Sequence, residues 1–168
     1  MNRDTAKSIV SRALIFSSTL FLSLAIVNFL PSARARRQTH FAQAAADGNL
    51  RHLRLLHMAG ANVNTRANCC MPLFLAAVEG RLDVVRYLLD QGAEVSAREQ
   101  HGRTAITEAA FYGNTSVIKE LLLRGAEVNA IADDGTALDV ALKSNNAAVI
   151  ELLKHYGGKR ACEIRGNC

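Results

Sequence analysis

The sequence has no tryptophan, two prolines and few aromatic residues, which make up 5% of its 168 residues. Strands of a β-sandwich favour valine, isoleucine, tyrosine and phenylalanine, so scarce aromatics beside plentiful alanine and leucine favour closely packed helices. Two prolines and 11 glycines are too few for a collagen-like or loop-rich chain. Since 49% of the residues are hydrophobic and 21% are charged, the chain as a whole is not disordered.

Motifs of catalysis and metal binding are also missing. The sequence contains no G-x-S-x-G, P-loop or H-E-x-x-H string. It has no C-x-x-C or H-x-x-x-H pair, the spacings with which proteins usually hold zinc. We therefore expect no enzyme, no cofactor and no metal site.

The positive charge is unevenly distributed along the chain. The formal net charge is +5, yet residues 39–156 hold eleven basic and thirteen acidic side chains. A protein that binds nucleic acid usually concentrates lysine and arginine on the folded surface that docks. Since this central region is slightly acidic, we expect no nucleic-acid partner.

The first 35 residues have the organisation of an export signal. An apolar run at residues 13–30 follows three basic residues and ends at Pro31, and a small-x-small sequence then ends at Ala35. We expect Pro31 to break any helix and to leave the extended chain that a peptidase cleaves after Ala35. This predicts a periplasmic or secreted protein without residues 1–35. The alternative is an uncleaved signal anchor, with residues 13–30 as a transmembrane helix of marginal length.

A repeat of 32–33 residues organises the remainder of the chain. Each copy combines an alanine-rich helix, a glycine or asparagine turn, and a second helix with leucine, valine and isoleucine at i, i+3, i+4 spacing. A single copy is too small to bury its apolar face, so stacking is needed to form a continuous core. Three copies end in closely similar sequences, which are Gly60-Ala61-Asn62-Val63-Asn64, Gly92-Ala93-Glu94-Val95-Ser96 and Gly125-Ala126-Glu127-Val128-Asn129.

These copies resemble ankyrin repeats. The helix starts Met71-Pro72-Leu73, Thr104-Ala105-Ile106 and Thr136-Ala137-Leu138 match the family's pattern, as do the glycine-alanine endings. The resemblance implies an all-α solenoid with hairpin-like loops and four repeats, followed by a basic, cysteine-containing tail at residues 159–168. The four repeats would span residues 39–70, 71–103, 104–135 and 136–158.

The sequence also departs from the ankyrin pattern in its turns. No copy has the family's histidine near the helix start. Cys70 replaces the turn glycine that Gly102 and Gly135 supply, so we expect the first hairpin to be strained or differently shaped.

The resemblance implies that the chain binds another protein through its hairpin tips and the concave face of its first helices. We expect the chain to be a monomer. The alternative is that the tip residues are solvated and serve only the turns. Phe111 is expected to pack against the adjacent repeat. The candidate partner-binding residues are Arg66, Asn68, Arg98, Glu99, Gln100, His101, Asp133, Asp134 and Tyr112.

Four cysteines complete the candidate sites. In an exported chain, Cys162 and Cys168 would be able to close a small disulfide loop in the tail. Cys69 and Cys70 are adjacent, and a bridge between them would distort the peptide, so we expect free thiols or mixed partners there.

Overall fold

The computed structural model describes residues 31–67 and 70–168, and residues Gln38–Cys168 form one compact unit. In these described ranges the chain has nine α-helices, a 3-10 turn at Gln100–Gly102, and no β-strand. The expected all-α fold is confirmed. The helices are α1 (Pro31–Asp47), α2 (Leu50–Met58), α3 (Pro72–Val78), α4 (Leu82–Asp90), α5 (Ala105–Phe111), α6 (Thr115–Leu123), α7 (Ala137–Lys143), α8 (Ala147–His155) and α9 (Ala161–Arg165).

Helix α1 contradicts the expectation of an extended chain around the proposed cleavage site after Ala35. It begins at Pro31 and continues without a break to Asp47, so Ala35 lies in a helix and not in an extended segment. Proline is well suited to the first position of a helix, because the N–H that it lacks has no partner there. The rest of the predicted leader, residues 1–30, lies outside the described residues. None of the helices in the described ranges is long and apolar enough to cross a lipid bilayer.

The repeat unit is a pair of antiparallel helices. The inner helices α3, α5 and α7 pack side by side, and so do the outer helices α4, α6 and α8. Small residues allow the inner helices to approach closely, since Ala76, Ala77, Ala109 and Ala110 are fully buried. The outer helices supply the large buried side chains, among them Leu88, Ile118, Leu121 and Leu153.

The turn between inner and outer helices requires a left-handed residue in every repeat. Gly80 and Gly113 have φ values of +67° and +77°, and Asn145 takes the same position in the fourth copy with a φ of +51°. Asn114 secures one of these turns to the preceding repeat, because its Nδ2 donates to the backbone oxygens of Ala77 at 2.8 Å and Val78 at 2.9 Å.

The first hairpin was expected to be strained or differently shaped; its tip, residues 68 and 69, lies outside the described residues, and its base is like that of the third hairpin. Ala67 and Cys70 form an isolated antiparallel bridge, with the same residue spacing as Ala132 and Gly135 in the third hairpin. The second hairpin is the different one, because twelve positions separate Gly92 from Thr104, whereas eleven separate Gly125 from Thr136. When the glycines of the turns are aligned, the additional residue in the second hairpin is Arg103.

The tail at residues 159–168 folds against the fourth repeat. Asp139 accepts a 2.7 Å hydrogen bond from the Ala161 N–H and lies 3.1 Å from the Arg160 Nε. The Lys159 backbone oxygen accepts a hydrogen bond from the Thr136 hydroxyl at 2.7 Å. A disulfide joins Cys162 to Cys168 around α9. The tail thus closes the end of the stack.

Candidate functional site

A pocket of about 240 Å³ opens on the inner-helix face between α5 and α7, and we call it the α5–α7 pocket. Helix α5 supplies one wall, α7 supplies the other, and the second and third hairpins close one end. Its lining residues are Arg103, Thr107, Glu108, Phe111, Tyr112, Ala132, Asp134, Val140 and Lys143.

Two adjacent aromatic side chains form the exposed wall of the pocket. Phe111 and Tyr112 are 53% and 55% exposed, and their rings meet edge to face with centroids 5.0 Å apart. Phe111 was expected to pack against the adjacent repeat, and that expectation was wrong. It is the last residue of α5, and the alanines before it, Ala109 and Ala110, occupy the buried positions against neighbouring repeats.

No other repeat has aromatic residues at the positions of Phe111 and Tyr112. Counting from the turn residue that follows, the equivalent pairs are Ala46 and Asp47, Val78 and Glu79, and Lys143 and Ser144. Because the chain has only nine phenylalanines and tyrosines, two exposed neighbours at one inner-helix end are unusual. Exposed apolar clusters of this kind commonly mark binding surfaces.

The additional residue of the second hairpin organises the charges of the pocket. Arg103 places Nη1 3.0 Å from Glu108 Oε1, and its Nη2 donates a 2.5 Å hydrogen bond to Asp134 Oδ2. Lys143 donates from Nζ to the backbone oxygen of Asp134 at 2.8 Å. The Arg103 guanidinium therefore joins an inner helix to the next hairpin, and it neutralises two carboxylates at once.

The two carboxylates respond differently to this arrangement. Burial raises the pKa of Glu108 above its ordinary value, although the nearby Arg103 charge partly opposes that change. The hydrogen bond and charge of Arg103 lower the pKa of the exposed Asp134 carboxyl. The same pairing raises the pKa of Arg103. At neutral pH the Arg103–Asp134 pair is therefore fully ionised.

Glu99 was expected at an exposed hairpin tip, and that expectation was wrong. The residue is only 8% exposed, and its Oε1 accepts a 2.6 Å hydrogen bond from the backbone N–H of Met71. Its Oε2 lies 3.1 Å from Arg66 Nε. Glu99 points inward because it occupies the hairpin position that Ala67 and Ala132 fill, buried, in the first and third hairpins.

The other proposed tip residues mainly link neighbouring hairpins. Arg98 donates from Nη1 to the Ile131 oxygen at 2.8 Å. His101 adopts a left-handed backbone conformation with a φ of 63°, and its Nδ1 lies 3.1 Å from Asp133 Oδ2. Gln100 is exposed. Asn68, like Cys69, lies outside the described residues.

Of the predicted binding residues, the structure places Tyr112 and Asp134 in the α5–α7 pocket. Sequence reasoning missed Arg103, Glu108 and Lys143 as lining residues. The longer second hairpin was the available signal for Arg103, since the spacing of the glycines shows one residue more in that copy. In the described ranges, no group of three histidine, cysteine or acidic side chains is placed to hold a metal ion.

Comparison with known proteins identifies the family. A family model described as "Ankyrin repeats (3 copies)" matches residues 20–99, 41–132 and 97–163. The chain belongs to the ankyrin-repeat family. Ankyrin repeats are non-catalytic interaction modules, so the repeat region is a protein-interaction module.

Individual relatives match only part of this chain and a small part of their own length. The chain is 35% identical over 97 residues to the probable E3 ubiquitin-protein ligase XBOS32 of Oryza sativa subsp. japonica, covering 56% of this chain and 19% of that protein. It is 40% identical over 67 residues to the potassium channel AKT1 of Arabidopsis thaliana, covering 39% of this chain and 8% of the channel. The chain thus spans less than a fifth of either relative.

Proposed function

We propose that this chain is an exported, monomeric binding protein that contacts a partner protein through the α5–α7 pocket and the neighbouring hairpins. The observation that carries the proposal is the exposed Phe111–Tyr112 pair on the wall of that pocket. Exposed aromatic residues beside a pocket are typical anchors of protein interfaces. Arg98 and His101 lie on the second hairpin, so they add polar contacts beside the pocket.

The chain acts by binding and not by catalysis. Two relatives are named as probable E3 ubiquitin-protein ligases, but the segment that matches this chain covers only 19% of one and 14% of the other. Their ligase activity is therefore not transferred to this chain. The charged side chains of the pocket are consistent with a binding role, because both acids, Glu108 and Asp134, are held in ion pairs with Arg103. Neither a nucleic-acid partner nor a cofactor is part of the proposal.

Export rests on the N-terminal sequence and on the cysteines of the tail. The basic start, the apolar run at residues 13–30 and the small-x-small sequence ending at Ala35 are the parts of a signal peptide. The disulfide between Cys162 and Cys168 fits an oxidising compartment such as the periplasm or the exterior of the cell.

Membrane anchoring is the second candidate, and helix α1 favours it. Because α1 runs from Pro31 through Ala35, the proposed cleavage site lacks the extended conformation that a signal peptidase requires. In this form residues 13–30 remain as a transmembrane helix, and the repeats are displayed at the membrane surface as an adaptor.

Cell fractionation followed by intact-mass measurement separates these locations. A soluble chain that begins at Arg36 supports secretion or a periplasmic location, whereas a full-length chain in the membrane fraction supports the anchor. A full-length chain in the cytoplasm contradicts both.

Quantitative co-purification with the tagged full chain tests the binding surface. We expect a Phe111→Ala/Tyr112→Ala variant to lose most of the partner. Leu123→Ala is the matched control, because Leu123 is an exposed apolar residue at the end of an outer helix, away from the pocket. Equal capture by both variants contradicts the proposed surface.

A further inference from the structure

We propose that the α5–α7 pocket receives one bulky, uncharged side chain, aromatic or branched aliphatic, from the partner protein. This inference rests on the proposed binding function and specifies the chemistry that the site recognises. A partner that presents a lysine, arginine or acidic side chain at this point is excluded by the same argument.

The size of the pocket indicates a single side chain. Cofactors and drug-sized ligands usually occupy clefts of about 300–1,000 Å³. The α5–α7 pocket, at about 240 Å³, is smaller than that range but large compared with the ~30 Å³ of one water molecule. One large side chain of a partner is the occupant that fits this volume.

The charges of the pocket indicate that this side chain is uncharged. Two cations, Arg103 and Lys143, and two acids, Glu108 and Asp134, line it, so their formal charges sum to zero. Arg103 contacts both acids, and Lys143 Nζ is bound to the Asp134 backbone oxygen. A cationic occupant would find both acids already paired with Arg103. An anionic occupant beside Lys143 would face the Glu108 and Asp134 carboxylates in the same neutral pocket, so either charge would lose its hydration without a net attraction, which is unfavourable.

The apolar surfaces of the pocket provide the contacts for such a side chain. Phe111 and Tyr112 are half exposed on one side, and the buried residues Ala132 and Val140 complete the lining. Aromatic rings attract another ring in offset or edge-to-face geometry, and they also pack well against aliphatic groups. Insertion of a partner side chain would cover both rings.

Side-chain analogues test this preference directly. The probes are p-cresol, which represents tyrosine, n-butylammonium for lysine and propionate for glutamate, each titrated into the full chain under the same conditions. We expect saturable NMR shifts at the Ala132 and Val140 amides with p-cresol, and none with the two ions. Saturable binding of either ion, or no saturable p-cresol binding, overturns the inference.

Two variants establish that the response arises in the pocket. Phe111→Ala should weaken p-cresol binding by about tenfold, as expected when one wall of an aromatic contact is removed. Leu123→Ala should bind p-cresol like the wild type. Because both residues are exposed, each variant is expected to fold, and thermal melting verifies this. Equal p-cresol affinity of the two variants contradicts the inference.

The p-cresol titration and the co-purification experiment test different claims, so one can contradict its claim while the other supports its own. If the partner is lost with the Phe111→Ala/Tyr112→Ala variant but p-cresol does not bind the wild type, the binding surface stands and the uncharged occupant is wrong. If p-cresol binds in the pocket but partner capture does not depend on Phe111 and Tyr112, the proposed function is wrong and so is the assignment of a partner side chain.

Discussion

The Glu99 carboxylate accepts a 2.6 Å hydrogen bond from the backbone N–H of Met71, so a side chain of the second hairpin satisfies the backbone at the start of helix α3. Arg66, in the first hairpin, pairs with the second oxygen of the same carboxylate. The hydrogen bond to Met71 and the ion pair with Arg66 hold this buried acid between consecutive repeats, which is a structural role and not a role in partner capture.

Replacing Glu99 with alanine should therefore destabilise the stack. The change leaves the Met71 N–H without its acceptor, and an unsatisfied buried donor costs about 1–3 kcal/mol. The measurement is the free energy of unfolding in urea. Gln100→Ala is the control, because this exposed neighbour should change stability by less than about 0.5 kcal/mol. Equal stability of the two variants would show that Glu99 does not connect the hairpins.

The two leucines near the end of helix α6 should behave differently. Leu121 is fully buried, so Leu121→Ala should lower the free energy of unfolding by ~2–5 kcal/mol through lost burial and a residual cavity. Leu123 is 72% exposed, and Leu123→Ala should have little effect. Thermal and urea melts of both variants test the assignment of the buried face. Similar losses in both would mean that this face is assigned wrongly.

Acid should weaken the attachment of the tail through Asp139. Burial alone would raise the pKa of this carboxyl, but hydrogen bonds from Ala161, Thr136 and Arg160 together lower it below the ordinary value of 3.8. The ionised form is thus favoured in the folded state. Its stabilising contribution is complete above the unfolded pKa and is lost as the pH falls through the lower folded pKa.

Asp139→Asn measures this contribution. The variant should be less stable than the wild type at pH 7, and the difference should shrink as the pH falls below 4. Asp133→Asn serves as a control for an exposed acid on the neighbouring hairpin. A constant difference between Asp139→Asn and the wild type from pH 7 to pH 3 would contradict a role for the charge.

Glu108 should give the opposite pH dependence. Its pKa is raised by burial, so the folded state binds the proton more tightly than the unfolded state does. The contribution to stability is therefore greatest below the unfolded pKa of about 4.5, and it declines as the pH rises through the folded value. Glu108→Gln should remove this decline. The measurement is the free energy of unfolding of the wild type and of Glu108→Gln at several pH values between 4 and 8. The same pH dependence in both proteins would refute the prediction.

Periodicity in the sequence was sufficient to predict the stacked helix pairs. Gly80, Gly113 and Asn145 recur at the same place in their copies, and the structure gives all three a positive φ. These features are predictable because a helix pair of fixed length requires the same backbone turn and the same buried positions in every copy.

The candidate site was less predictable, because its contacts join residues from different repeats. The charge network depends on Arg103, a one-residue insertion that reaches both α5 and the third hairpin. The inward orientation of Glu99 was visible only by aligning it with Ala67 and Ala132. The helical conformation from Pro31 through Ala35 was missed because proline stops a helix in its interior but starts one readily.

Site-specific photo-cross-linking in living cells tests the central claim most directly. A photoreactive phenylalanine analogue is placed in the full chain at position 112, beside the α5–α7 pocket, or at position 123 on the outer helix α6. The account predicts a discrete cross-linked protein species from position 112 and none from position 123. Cross-links from position 123 alone, or the same products from both positions, would contradict the assignment of the α5–α7 pocket as the partner-binding surface.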